Sequence, residues 1–213
     1  MSSYQLSRYV FNSLFVSIVT TALHIVAASM AAFTFSKSKI KGRTALFLVV
    51  QFALLYNSYT LGIPQYILMS NMRIIDTYLV YILPYIPSAM GAFLMKQYID
   101  SSIPDALLEA ARIDGASVFR MYWSIVMPIV RPAWMTLLLF SFKDMWSIMP
   151  NGTIFSEELK TLPYVMSQIN SGGLARAGSA MATTVIMMIP PIIVYIISQR
   201  NVMETMSSAG IKD

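Results

Sequence analysis

Glu109, Arg112, Asp114 and Arg120 stand close together in LLEAARIDGASVFRMYWSIVMP, residues 107–128, in a chain of 213 residues that is 56% hydrophobic and only 12% charged. Lys143 and Asp144, in FSFKDMWSIMP, put a second pair of ionisable groups inside an apolar run. Covalent or metal-assisted chemistry finds little else to work with. There is no cysteine, so disulfides, thiolate metal sites and cysteine nucleophiles are excluded, and the single histidine, His24, removes most zinc chemistry. No H-E-x-x-H, G-x-S-x-G or pair of intramembrane aspartates supports an intramembrane enzyme, and no G-x-x-x-x-G-K-[ST] loop is present to cradle a nucleotide. The formal net charge is +5, but the basic residues fall in short clusters between apolar runs and form no stripe for nucleic acid. The chemistry left to residues 107–128 is recognition of a surface, and that left to Lys143 and Asp144 is facing a cavity or a partner.

The elements that must position these groups are membrane spans. A soluble domain carries roughly 25% charged residues; half that fraction, with a positive mean hydropathy, makes lipid the solvent for much of this chain. With about 20 apolar residues needed per span, five stretches qualify. The first covers residues 12–35 and is followed by SKSKIKGR, where Lys37, Lys39, Lys41 and Arg43 mark a cytoplasmic loop. The second begins near Thr44 and is interrupted in its far half by YNSYTLGIP. The third covers 77–95 with Pro84 and Pro87 as kink points, the fourth 129–148, and the fifth 179–198 with Pro190 and Pro191 inside it. Threading alternate sides places the N-terminus outside, residues 36–43 and 96–123 inside, 69–75 and 149–178 outside, and the C-terminus inside. A secretory signal peptide ending at AASMAA is the rival reading of the start, but it would export the basic cluster that follows. No linker or low-complexity segment divides the chain, so residues 1–213 read as one domain with a cytoplasmic loop at 96–124. The fold class is an all-α membrane protein, a polytopic bundle of about five transmembrane helices.

Within that loop, SSIPDALLEAARIDG has the parts of a short capped helix: Ser102 as N-cap with Asp105 three residues on, Pro104 in the first turn, and Gly115 in the left-handed conformation at the end. Leu107, Ala110 and Ala111 share a face, with Leu108 beside them and Asp105, Glu109 and Arg112 on the other side. Ser117 caps a second short helix whose Phe119, Tyr122 and Trp123 suit a membrane interface, and Pro128 turns the chain into the next span. Two readings fit: a helix seated in a partner's groove, or an amphipathic connection lying on the bilayer.

The order Glu109, Ala110, Ala111, three residues, Gly115, nine residues, Ile125, one residue, Met127, Pro128 resembles the EAA loop of ABC importer permeases, E-A-A-x3-G-x9-I-x-L-P, with methionine in the leucine's place. NSLFVSIVTTALHIVAASMAAFTFSKSKIKGR, TLPYVMSQI and SAGIKD are similar to further segments of the second permease of maltose-type carbohydrate importers, so the resemblance extends over nearly the whole chain. It implies that Glu109, Ala110, Ala111 and Gly115, with Ile125 and Pro128, belong to a coupling helix and its exit, docked on a cytoplasmic ATP-hydrolysing subunit. It gives Gly210–Asp213 a contact with the same subunits. It further implies a bacterial inner-membrane location, alternating access, a second permease subunit, a dimer of ATP-binding subunits that hold ATP and Mg²⁺, and an extracytoplasmic solute-binding lipoprotein. The substrate would be a carbohydrate, the chain itself having no cofactor. Family members usually carry one more span before N-S-L, so the expectation is that this chain is a shortened form.

For the substrate path, Lys143 and Asp144 are candidates against a structural pair near the outer interface; as neighbours on a helix they do not face each other, so each is expected to find another partner or to snorkel. Trp146 can stack on a sugar ring or sit in an interfacial belt. Asn57 and Tyr59, with Ser58, can bond sugar hydroxyls or pack helices. Gly178 and Ala182 make a small-x3-small pair for close helix packing, and His24 reads as a hydrogen-bonded packing residue. The rival functions are a permease for a non-sugar solute such as a peptide, amino acid or anion, and a membrane scaffold or channel with no ATPase.

Overall fold

The computed structural model describes residues 3–38, 40–55, 61–149, 152–170 and 177–210. Eleven helices follow one another among them: α1 (Ser3–Lys37), α2 (Arg43–Leu54), α3 (Gly62–Asn71), α4 (Leu79–Ile82), α5 (Ala89–Ser102), α6 (Asp105–Ile113), α7 (Val118–Met121), α8 (Met127–Ile129), α9 (Arg131–Trp146), α10 (Leu162–Asn170) and α11 (Ala177–Gly210). A 3₁₀ turn, Leu83–Tyr85, extends α4, and a π-helical turn, Tyr122–Val126, joins α7 to α8.

Leu6–Lys37 and Met181–Asn201 are each long and apolar enough to cross a membrane; Leu79–Tyr85 with Ala89–Ser102, and Val118–Ile129 with Arg131–Trp146, qualify only as broken pairs. The third span is therefore interrupted at its prolines, as expected. The fourth differs from a straight run over 129–148. Its helix starts at Arg131, after a bend of 80°, so the turn falls at Val130 rather than Pro128. The second span is described only in its first part. Its apolar helix, Arg43–Leu54, has 12 residues, and YNSYT, residues 56–60, lies outside the described residues.

The chain forms two compact units. The first takes Met1–Ala22, Asn57–Ile86 and Leu139–Ile197. Here α1 turns a polar face inward: Asn12, Ser13, Ser17, Thr20 and Thr21 are buried, while Phe11 and Ile18 face outward. That inversion suits a helix in lipid, where small and polar residues pack between helices because apolar ones gain nothing by leaving the bilayer. Asn12 donates from Nδ2 to the carbonyls of Glu158 (2.8 Å) and Lys160 (2.9 Å), and its Oδ1 accepts from Tyr78 Oη at 2.7 Å. Ser13 Oγ accepts the backbone N–H of Leu162 at 2.8 Å, which fixes the start of α10. Tyr9, Phe142, Trp146, Leu162, Val165 and Ile169 fill one apolar cluster, and Val16, Met69, Ile74, Tyr81 and Ile148 belong to another.

The second unit takes Leu23–Tyr56, Pro87–Leu138 and Ser198–Asp213. Its core runs from Ala28 and Ala32 on α1 through Met95 and Ile99 on α5 to Leu108, Met121, Val126, Val130 and Ala133. Small residues let α1 and α5 approach closely: a Cβ added to Gly91 would meet Ala28 Cβ, His24 Nε2 and Ser88 Oγ, each at 3.1 Å. His24 is thus a half-buried residue packed at this contact.

Candidate functional site

The segment 103–130 lies wholly in the second unit, and its geometry begins at a proline. A residue before proline is pushed out of the helical region, and Ile103 has φ −119° and ψ 103°. Consequently α5 runs on through Ser102, and α6 starts only after Pro104, which occupies the N-cap position with no side-chain cap. Ser102 does not cap α6. Asp105 in the first turn and Arg112 in the last complement the helix dipole. The far end is a Schellman motif: Gly115, at φ +77°, donates from its N–H to Arg112 O at 3.0 Å, and Ala116 donates to Ala111 O at 2.9 Å. Ser117 then caps α7, its Oγ accepting from Arg120 N at 3.2 Å.

α6 buries Leu108 and Ala111 in the unit's own core, while Leu107, Glu109, Ala110 and Arg112 are exposed. The expected apolar face is therefore rotated: Ala111 faces inward, and Leu107 and Ala110 stand free. Ile113 (86% exposed), Val118 and Phe119 (67%) extend this surface past the turn. Further on, Ile125 is half-buried against the core, Pro128 is exposed, and Trp134 Nε1 donates to Met127 O at 3.1 Å across the bend. The π turn over Tyr122–Val126 was not expected from the spacing of apolar residues. Tyr122 Oη lies 2.7 Å from Ser29 Oγ there, buried.

A polar cluster holds the base of α6. Lys37, only 8% exposed, reaches Asp105 Oδ1 at 2.8 Å and the carbonyl of Ile103 at 2.7 Å. Its ammonium, by donating to Asp105, holds that carboxyl below the ordinary carboxylate range. Asp100 accepts from Ser36 Oγ and pairs with Lys96 at 2.6 Å, and Arg43 donates to the carbonyls of Ser36 and Ser38. Read from sequence, these bases are only a charge cluster; burial of Lys37 leaves no local signature.

Of the candidate path residues, Lys143, Asp144 and Trp146 are among the described residues. Asn57 and Tyr59 lie outside the described residues. Lys143 and Asp144 are each 67% exposed on α9, as snorkelling side chains are, and approach each other at 3.9 Å, a long mutual contact. Trp146 is 2% exposed, stacked on Phe142 at 6.0 Å between ring centroids and donating from Nε1 to Met187 O at 2.8 Å. Its ring is covered by its own chain and offers no face to a solute. Gly178 meets nothing within 4 Å of a Cβ, and Ala182 is exposed, so this pair makes no close packing here.

Among the described residues the chain is helical, with helices long and apolar enough to cross a membrane and with α6 exposed between them. Residues 24–207 match the family described as the binding-protein-dependent transport system inner membrane component, and the chain belongs to it. It is 27% identical over 207 residues to the arabinooligosaccharides transport system permease protein AraQ of Bacillus subtilis (strain 168), covering 96% of this chain and 73% of that one. It is 26% identical over 197 residues to the lactose transport system permease protein LacG of Rhizobium radiobacter, covering 92% and 72%. Among solved structures, a bacterial ABC transporter involved in the import of the acidic polysaccharide alginate has a chain that matches with a TM-score of 0.78 at 24% identity, covering 92% of this chain and 75% of that one. That likeness concerns the fold.

Proposed function

We propose that this chain is the permease subunit of an ATP-driven importer for oligosaccharides or other carbohydrates in a bacterial inner membrane, and that α6 is its coupling helix. The observation that carries this reading is α6 itself: the E-A-A-x3-G spacing falls on a helix with Leu108 and Ala111 anchored in its own core and Glu109, Ala110 and Ile113 presented outward. Closure of a dimeric ATPase, which would hold ATP and Mg²⁺, moves α6, and α6 moves the bent pair Val118–Ile129 and Arg131–Trp146 behind it. α6 and the basic turn at Lys37 lie on the cytoplasmic side, and the outside segments 69–75 and 149–178 face the solute-binding lipoprotein. A second permease completes the pathway, with Lys143 and Asp144 exposed toward it or toward the solute. The sugar assignment is supported by the arabinooligosaccharide and lactose permeases among the relatives.

The test is co-purification and uptake. Glu109→Ala with Gly115→Gln should abolish ATPase association and sugar uptake while leaving the chain in the membrane. Intact association and uptake in that variant would overturn the reading.

A further inference from the structure

We infer that Trp146 is a positioning residue for transport: its indole N–H takes the place of the main-chain donor that Pro191 lacks, and so fastens α11 to α9 at the proline pair. The inference rests on the permease reading above and deepens it by naming how two of its spans are held to each other.

A proline removes one link from a helix. Pro191 has no N–H to offer the carbonyl four residues back, which is that of Met187, and its ring crowds the same carbonyl. Lipid supplies no donor, so a carbonyl freed within a span has to be met by the protein. Here the donor comes from another helix: Trp146 Nε1 lies 2.8 Å from Met187 O. Both residues belong to the first unit. Trp146 is buried and stacked on Phe142, one turn back on α9. The N–H is therefore aimed by the same cluster against which Ile186, Met187 and Val194 of α11 pack.

The bond is more than a local repair because so little else of α11 is packed. Of its apolar window 11% is buried, against 39% for α1. Four residues back along α9 from Trp146 stands Phe142, and four forward along α11 from Met187 stands Pro191; both line one cavity of about 290 Å³. From the bond the two helices thus run in opposite directions, and Leu139 and Tyr195 continue the two rows along the same cavity. Side chains do not interlock across that space, so the attachment of α11 to α9 falls on the indole. In the proposed importer α9 is the second helix of the bent pair behind α6, and the bond makes α11 follow it.

The experiment uses the complete importer, with its partner permease, ATPase and binding protein, reconstituted in lipid vesicles. It measures a labelled oligosaccharide carried per ATP hydrolysed, and the unfolding temperature of the same preparations. Trp146→Phe keeps a ring against Phe142 and removes the donor. It should lower the unfolding temperature, and should lower sugar per ATP about tenfold, roughly the worth of one hydrogen bond to a buried carbonyl. Adding Pro191→Ala gives Met187 O a donor from its own helix but does not rejoin the helices. In that double variant the unfolding temperature should recover while sugar per ATP stays low. Pro190→Ala in its place should recover neither, since its N–H is directed at Ile186 O.

Wild-type sugar per ATP in Trp146→Phe would overturn the inference. So would its recovery together with stability in the double variant, because a satisfied carbonyl would then be all that matters. Stability that Pro191→Ala leaves low, or that Pro190→Ala restores equally, would overturn the exchange of donors. If Trp146→Phe alone fails to assemble, the double variant decides, with wild-type sugar per ATP again the overturning result. Failure of the wild-type chain to assemble with an ATPase would instead overturn the permease reading, and the unfolding temperatures would still report on the bond.

Discussion

Lys37 Nζ and Asp105 Oδ1 lie 2.8 Å apart, joining the last residue of α1 to the first residue of α6. The same ammonium holds the Ile103 carbonyl, so one buried cation fixes both the break before α6 and its first turn. Lys37→Ala leaves that carbonyl without its donor, at a cost of about 1–3 kcal/mol. Faster hydrogen exchange over residues 105–113 and reduced coupling of ATP hydrolysis to uptake are expected, with assembly preserved. Asp105→Asn should do much less, because the Asp105 side chain is exposed and the Ile103 contact survives. Equal effects of the two substitutions would show that the ion pair, and not the carbonyl, is what matters.

Gly115 separates backbone shape from bulk. It sits at φ +77° with nothing within 4 Å of a Cβ, so Gly115→Ala should cost about 1–2 kcal/mol through the left-handed backbone alone. Gly115→Asn should be nearly neutral for stability, since Asn tolerates that region. If a partner's groove excludes side chains there, both variants will still lose ATPase affinity. Thermal unfolding and pull-down measured on the same preparations distinguish the two effects.

At Gly91 two opposing effects can be weighed. Alanine gains up to about 1 kcal/mol of helix propensity, but its Cβ would stand 3.1 Å from Ala28 Cβ, His24 Nε2 and Ser88 Oγ, and overpacking costs about 1–3 kcal/mol. Ser88 Oγ cannot easily yield, because it accepts the Gly91 N–H at 2.8 Å. Gly91→Ala should therefore lower the unfolding temperature, and Ala28→Gly in the same chain should recover part of the loss.

Asp76 ties two loops of the first unit. Its carboxylate accepts from the Ser156 hydroxyl at 2.5 Å and from the N–H groups of Ser156 (2.9 Å) and Phe155 (3.0 Å), and its own N–H donates to Thr153 O. The Ser156 hydroxyl, then the two amides, hold its pKa below the ordinary aspartate value, which is about 4. A depressed carboxylate contributes stability that is complete above the unfolded pKa and is lost as pH falls through the folded one. Amide exchange at Phe155 and Ser156, corrected for intrinsic rate, should be flat from neutral to about pH 5 and rise below that. Asp76→Asn should exchange faster at neutral pH and show no such rise.

The parts of the site that were legible in the sequence are those written in local backbone rules. Gly115 as the helix stop, Ser117 as a cap and the break at Pro84 and Pro87 each follow from what one residue permits its own torsions, and the structure has all three. Rotation about a helix axis was not legible. Leu107, Leu108, Ala110 and Ala111 are interchangeable apolar marks until something covers two of them, and the core covers Leu108 and Ala111. Trp146 reads from sequence as a belt residue or a stacking platform; Phe142 and the Met187 carbonyl instead place it in the core. The partners of Asp76, Asn12 and Lys37 were not legible for the same reason, since they lie 66 to 148 positions away in the chain.

The corner between α6 and α7 has few torsions left to spend. Across residues 114–121, the N–H groups of Asp114, Gly115, Ala116, Arg120 and Met121 are all engaged, to Ala110, Arg112, Ala111, Ser117 Oγ and Ser117 O in turn. In the proposed coupling role, such a joint would pass angle as well as push from α6 toward Tyr122. The first compliant point beyond the corner is the π turn, where the helix carries one residue more than its pitch requires.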